Sequence, residues 1–102
     1  MNEEQIEQEI QAKGLNAPRL TPKHIESLIV GEQYYIFPNT TTTICLLHLK
    51  NGYTVIGESA CVSKENFDEE LGRMVARNNA KGKLWMLEGY LLKEKLHVAG
   101  NH

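Results

Sequence analysis

Few of the residues that mark enzymes and metal proteins occur here in usable patterns. Cysteine appears twice in 102 residues, as Cys45 and Cys61, with no CxxC pair and no histidine set at ligand spacing. The expectation is two reduced, mostly buried thiols. Ser59 and Ser63 lack the context of a nucleophile elbow, and no glycine-rich phosphate loop is present. No catalytic residue, metal site or cofactor is therefore expected, and the chain does not read as an enzyme. No apolar run approaches membrane-spanning length. The N-terminus, MNEEQIEQEI, is acidic where a secretory leader is basic and then apolar. A net charge of −2 supplies no broad field for duplex nucleic acid. Neither membrane nor duplex partners are expected.

What is present suits one small domain. Residues 1–20 read as an N-terminal helix and linker, and residues 21–102 as a single α+β domain. The charge is uneven. Met1 to Gly14 holds Glu3, Glu4, Glu7 and Glu9 against Lys13, whereas Gly72 to His97 holds Arg73, Arg77, Lys81, Lys83, Lys93 and Lys95 against Glu88 and Glu94. An anionic small ligand or a protein surface fits that distribution better than DNA. A short polar helix is predicted over Glu3 to Lys13, with Gly14 as its left-handed cap. LNAPRL, Leu15 to Leu20, reads as a linker. Thr21 then caps a helix with Pro22 in its first turn, predicted to run to Val30.

The period changes at Gln33-Tyr-Tyr-Ile-Phe37, which reads as a strand closed by Pro38-Asn39. Thr40 to Lys50 and Tyr53 to Ser59 flank Asn51-Gly52, the strongest short hairpin signal. With a two-residue turn, Leu49 faces Thr54 and Leu47 faces Ile56; a bulged turn shifts that register by one. In either case the expectation places Ile44, Leu46 and Tyr53 opposite Cys45, Leu47 and Leu49. Apolar residues on both faces ask for two covers. So short a chain has few elements to spare, so a second subunit is the economical cover.

From Cys61 to Lys95 the apolar period is helical. Ser63 reads as the N-cap of a first run carrying Phe67, Leu71, Met74 and Val75. A second run carries Leu84, Trp85, Leu87, Leu91, Leu92 and Leu96, so two C-terminal helices are predicted, separated near Gly82. Trp85 and Leu87 suit core or interface packing, and Gly89 suits a close crossing or a kink. Asn66, Phe67 and Asp68 open the first run. Phe67 is either a core anchor or an aromatic that stacks on a base beside free N–H donors. Arg73 and Arg77, one turn apart, form either a solvated salt-bridge face with Glu69 and Glu70 or a phosphate grip. Asn78 and Asn79 are poor mid-helix residues. They signal a helix break or hydrogen bonds to something buried, and Asn79 is the more telling of the two.

Three phrases carry a resemblance: the hairpin T-x-C-x-L-x-L-K-N-G-Y-x-V-x-G-x-S-A-C (Thr43 to Cys61), E-N-F-D-x-E-x-G (Glu65 to Gly72) and N-A-x-x-K-x-W-x-L-E-G-Y-L-L (Asn79 to Leu92). Thr21 to Leu96 resembles a family of small bacteriophage and prophage proteins that includes the first-described type of Thoeris anti-defence sponges. The resemblance implies an antiparallel sheet packed with two C-terminal helices, assembled as homodimers and in some members as a hexamer, a trimer of dimers. It implies sequestration, without cleavage, of cyclic ADP-ribose isomers (glycocyclic ADP-ribose) in pockets between two chains. In some members cyclic trinucleotides are held at separate sites. Such a protein would act in the host cytoplasm. On the matching motifs, Phe67 becomes the adenine-stacking candidate and Arg77 and Asn79 the phosphate and hydrogen-bond candidates; Asn66 and Arg73 complete the expected ligand-binding set. Gly82 within the long helix and the first twenty residues depart from the pattern. The rival expectation is an oligomeric phage accessory protein that binds a host protein and has no nucleotide ligand.

Overall fold

The computed structural model describes residues 2–14 and 17–100; Leu15 and Asn16 of the expected linker lie outside them. Helix α1 (Glu3–Ala12) is followed by α2 (Pro22–Ser27), strands β1 (Ile29–Ile36), β2 (Thr42–Leu49) and β3 (Thr54–Ala60), a single 3₁₀ turn (Lys64–Asn66) and α3 (Glu69–Val98). The α+β class and the antiparallel sheet are as the sequence predicts, and the strand order is β1-β2-β3.

Local chemistry sets most of the boundaries. Asn2 and Gln5 form a reciprocal capping box on α1, and Gly14 (φ 66°) follows its last turn. The Thr21 hydroxyl accepts from the His24 N–H, with Pro22 in the first turn of α2. This helix stops three residues earlier than predicted. Ile29 and Val30 are β-branched and enter β1, where Ile29 pairs with Leu49 and Gly31 with His48, leaving a bulge between them. Pairing with β2 overrides the weak helical preference.

The hairpin turn is bulged. Leu47 pairs with Val55 and His48 with Thr54, while Gly52 (φ 90°) donates to Leu49 O at 2.9 Å and Leu49 donates to Tyr53 O at 2.9 Å. Ile44 and Leu46 do lie opposite Cys45, Leu47 and Leu49. Tyr53 does not. The extra turn residue moves it to the helix-covered face, where it borders a hollow with Val55, Met86, Leu87 and Tyr90.

The two predicted C-terminal helices are one helix of 30 residues. Gly82 does not break it, because Ala76 and Ala80 before it and Leu84 after it bury into the same sheet. That shared anchorage outweighs the roughly 1 kcal/mol that a mid-helix glycine costs. Ser63 caps only the 3₁₀ turn and makes no side-chain bond to its backbone. The N-cap of α3 is Asp68, whose Oδ1 accepts from Leu71 N at 3.2 Å. Asn66 and Phe67 therefore precede the helix rather than open it.

Ile25, Cys45, Leu47, Leu49, Val55, Ala76, Ala80 and Leu84 form the core between the sheet and α3. A helix of this length spans about 45 Å, and eight-residue strands span about 26 Å, so α3 runs past the hairpin. Leu87 and Tyr90 are exposed beside the hairpin, and Leu91 and Val98 along that overhang. On the far face of the sheet Tyr35 and Ile56 are exposed and Ile44 and Leu46 half-buried. No helix of the described residues packs there.

Candidate functional site

A cleft of about 570 Å³ opens beside β3, between its C-terminal end and the start of α3. Three of the five expected ligand residues line it: Asn66, Phe67 and Asn79. Each arrives by a different route. Asn66 ends the 3₁₀ turn, its N–H bonded to Ser63 O at 3.2 Å. Phe67 sits in the extended link before α3 (ψ 123°), so its ring lies across the helix start at Gly72. Asn79, nearly three turns along α3, donates from Nδ2 to Glu58 O of the edge strand at 2.7 Å. That bond explains an asparagine in mid-helix: it satisfies a carbonyl that the open edge of β3 leaves unpaired. The amide retains a second N–H and a carbonyl oxygen for other partners.

The floor of the cleft is tightly built. Ser59 Oγ donates to Gly72 O at 2.7 Å. A methyl group on Gly72 would lie 3.0 Å from Thr43 Oγ1 and 3.3 Å from the Phe67 ring, so a larger residue there would press both side chains back by a few tenths of an ångström. Thr43 is fully buried, and its hydroxyl oxygen has no hydrogen-bond partner among the described residues. The outer wall comes from Thr41, whose hydroxyl donates to Cys61 O, and from Glu58, Cys61, Leu71 and Val75. Sequence reasoning missed these wall residues. Thr41 reads as edge or loop, and Ser59 and Cys61 fall at a strand end whose neighbours only the fold reveals. The S-A-C end of the hairpin phrase was the one available signal.

Arg73 and Arg77 are not brought to this cleft. Arg77 projects toward the β1 side, where Nη1 and Nη2 grip the Glu26 carboxylate at 3.1 and 2.9 Å and Nε donates to Glu32 at 2.6 Å. The planar edge that would hold a phosphate is filled by Glu26. The Arg77 hydrogen bonds, aided by Lys81 at 2.8 Å, hold the Glu26 carboxyl down at about 2, and Glu26 in turn raises Arg77. Burial alone would lower Lys81; hydrogen bonds to Glu26 and Glu3 reverse that and raise it. Arg73 makes a long helix-surface pair with Glu69 at 3.7 Å.

No lysine or arginine lines the cleft, while Glu58 and Asp68 do. The Asp68 carboxylate also occupies the N-terminal end of α3, the position where a helix would otherwise attract an anion. As it stands in one chain, the cleft offers an aromatic ring, two amides and hydroxyls, and no counter-charge for a phosphate. Among the described residues no group of three His, Cys, Asp or Glu side chains could hold a metal ion. No helix of the described residues is long and apolar enough to cross a membrane.

No curated protein and no solved structure matches the chain. The model of one family, described as the phage protein (N4 Gp49/phage Sf6 gene 66) family, matches residues 20–96. That span starts just before the Thr21 cap, contains the whole sheet and the cleft, and leaves α1 outside. The chain is a member of this phage protein family.

Proposed function

We propose that this phage-family protein is a sponge: it binds a cyclic ADP-ribose-type signalling nucleotide and holds it without cleaving it. The observation that carries the reading is that Asn66, Phe67 and Asn79, three of the five expected ligand residues, line one cleft. The Phe67 ring would stack on a base, contributing about 1–3 kcal/mol. The amides and hydroxyls would meet base and ribose edges. Nothing in that set activates water or a nucleophile, so retention is the chemistry it suits, and lowering the free messenger in the host cytoplasm would be the effect.

The acidic lining of the cleft adds a requirement. A diphosphate beside Glu58 and Asp68 needs cations from elsewhere, and Arg77 is already held by Glu26 and Glu32. In this reading a second copy of the chain completes the pocket and brings basic side chains to it, as a homodimer or within a trimer of dimers. The bare apolar face of the sheet (Tyr35, Ile44, Leu46, Ile56) and the α3 overhang are surfaces of the kind such an assembly buries. Cyclic trinucleotides are the second ligand class to test.

Those same surfaces favour the alternative, an oligomeric accessory protein that binds a host protein and no nucleotide. Isothermal titration with cyclic ADP-ribose isomers and cyclic trinucleotides separates the two. The sponge reading expects saturable heat, and intact nucleotide recovered after the complex is denatured. Silence with every nucleotide, together with a defined host protein bound at fixed stoichiometry, supports the alternative. Recovery of a cleaved ligand would make the protein an enzyme.

A further inference from the structure

Helix α1 lies outside the family match and on the side of α3 away from the cleft, and it is attached in an unusual way. It has no buried residue. Its hold on the body is polar: Glu3 Oε2 accepts from Lys81 Nζ at 3.0 Å and Glu3 Oε1 from Trp85 Nε1 at 3.1 Å, while Glu7 takes a two-pronged grip from Arg19 at 2.6 and 2.8 Å. Packing beneath it is thin. An open hollow of about 330 Å³ is lined by Ile6 and Ile10 of α1 and by Leu20 and Trp85. A second, of about 710 Å³, lies between α1 and α2. A helix of 10 residues is marginal in water without tertiary support.

Undocking would leave little frustrated charge behind. Lys81 is shared between Glu3 and Glu26, the latter at 2.8 Å. When Glu3 departs, the ammonium keeps Glu26, and Arg77 keeps Glu26 and Glu32. The severe cost of breaking a buried pair comes from stranding one charge without a partner. Here the relay Glu3–Lys81–Glu26–Arg77–Glu32 closes up behind the departing residue. Glu7 and Arg19 both move into water on release, where such pairs are individually weak and screened by salt.

We propose that α1 is a strap latched by charge: Lys81 and Trp85 form a carboxylate-holding pair that Glu3 fills in cis, and α1 leaves it as a unit while α2, the sheet and α3 keep their fold. Opening uncovers an indole N–H beside an ammonium, next to Leu20 and Pro22. The seat is matched to a carboxylate with an aliphatic neighbour, as Glu3 is flanked by Ile6.

Trp85 is the only tryptophan, so it reports the latch without labelling. The experiment follows Trp85 quenching by acrylamide and amide hydrogen exchange of the full chain as sodium chloride is raised from low salt to about 1 M, where the Debye length falls to about 3 Å. The strap predicts protection of α1 at low salt, lost as salt rises, with a several-fold rise in Trp85 quenching and unchanged exchange in β2 and the Ala76–Leu84 segment. Glu3→Gln should show the open behaviour already at low salt. Glu9→Gln, which removes only the surface pair with Lys13, should not. Either of two results overturns the proposal. One is α1 amides that exchange only with global unfolding at every salt concentration. The other is Trp85 quenching that Glu3→Gln leaves unchanged.

Discussion

Gly57 in β3 lies directly against the backbone of Ala80 in α3. A Cβ at position 57 would overlap the Ala80 amide nitrogen and the Ala76 carbonyl oxygen. The helix therefore rests on the strand backbone to backbone, through the two small residues Ala76 and Ala80, and this sets the height at which Asn79 reaches Glu58. Gly57→Ala should cost more than the usual 1–3 kcal/mol of an overpacked core, because both obstructing atoms belong to helix backbone that cannot rotate away. Chemical denaturation measures it. A loss below about 1 kcal/mol would mean that α3 can lift from the sheet.

The start of α3 provides a paired comparison. Asp68→Ala removes the helix cap and should cost about 1 kcal/mol, or roughly 4–8 °C in melting temperature for a domain near this size. Ser63→Ala removes no backbone cap bond and should stay within about 0.5 kcal/mol. Thermal melts of the two variants should rank in that order; the reverse order would move the helix start to the 3₁₀ turn.

Arg77→Met should weaken the fold rather than ligand binding. Its hydrogen bonds to Glu26 and Glu32 would be lost, at about 1–2 kcal/mol once partial exposure is allowed for. Lys81 would remain to hold Glu26. Nucleotide titration of the variant at a temperature where it is fully folded should give nearly wild-type affinity. A selective loss of affinity with unchanged stability would put Arg77 back among the ligand residues.

Glu26 also gives the fold a pH signature. Its folded carboxyl titrates at about 2 against an ordinary 4.5, so the folded state binds the proton less readily than the unfolded chain. The stability that this contributes is fully present above pH 4.5 and is lost as pH falls toward 2. Melting temperature should decline through that window, and Glu26→Gln should flatten the decline while lowering stability at neutral pH. An acid branch identical in both proteins would assign it to other carboxylates.

Phe67→Ala tests the cleft. In the proposed function it removes a base stack of about 1–3 kcal/mol, a roughly 5- to 150-fold weakening. Because part of the ring packs at Gly72, stability should be measured alongside, and Phe67→Leu serves as the variant that fills space without stacking. Retained nucleotide affinity in both variants would remove Phe67 from the site.

The amino-acid sequence by itself determined the features that depend on near neighbours. Thr21-Pro22 starts a helix, Asn51-Gly52 turns a hairpin, and the alternating run from Thr42 to Leu49 places Cys45 and Leu47 on one face and Ile44 and Leu46 on the other. Short phrases also marked Phe67, Asn79 and Arg77 as candidates, but that Asn66, Phe67 and Asn79 share one cleft while Arg73 and Arg77 do not was set by packing. Tertiary structure decided the rest. One additional turn residue reversed the side on which Tyr53 lies, because Asn51-Gly52 suits both a two-residue and a bulged turn and strand alternation does not choose between them. Burial of Ala76, Ala80 and Leu84 against one sheet carried the helix through Gly82, where local propensity predicts a break. Arg77 meets Glu26 and Glu32 only because α3 presents that side to α2 and β1. Partners so far apart along the chain have no spacing that a sequence can reveal, since they are selected by how the elements pack.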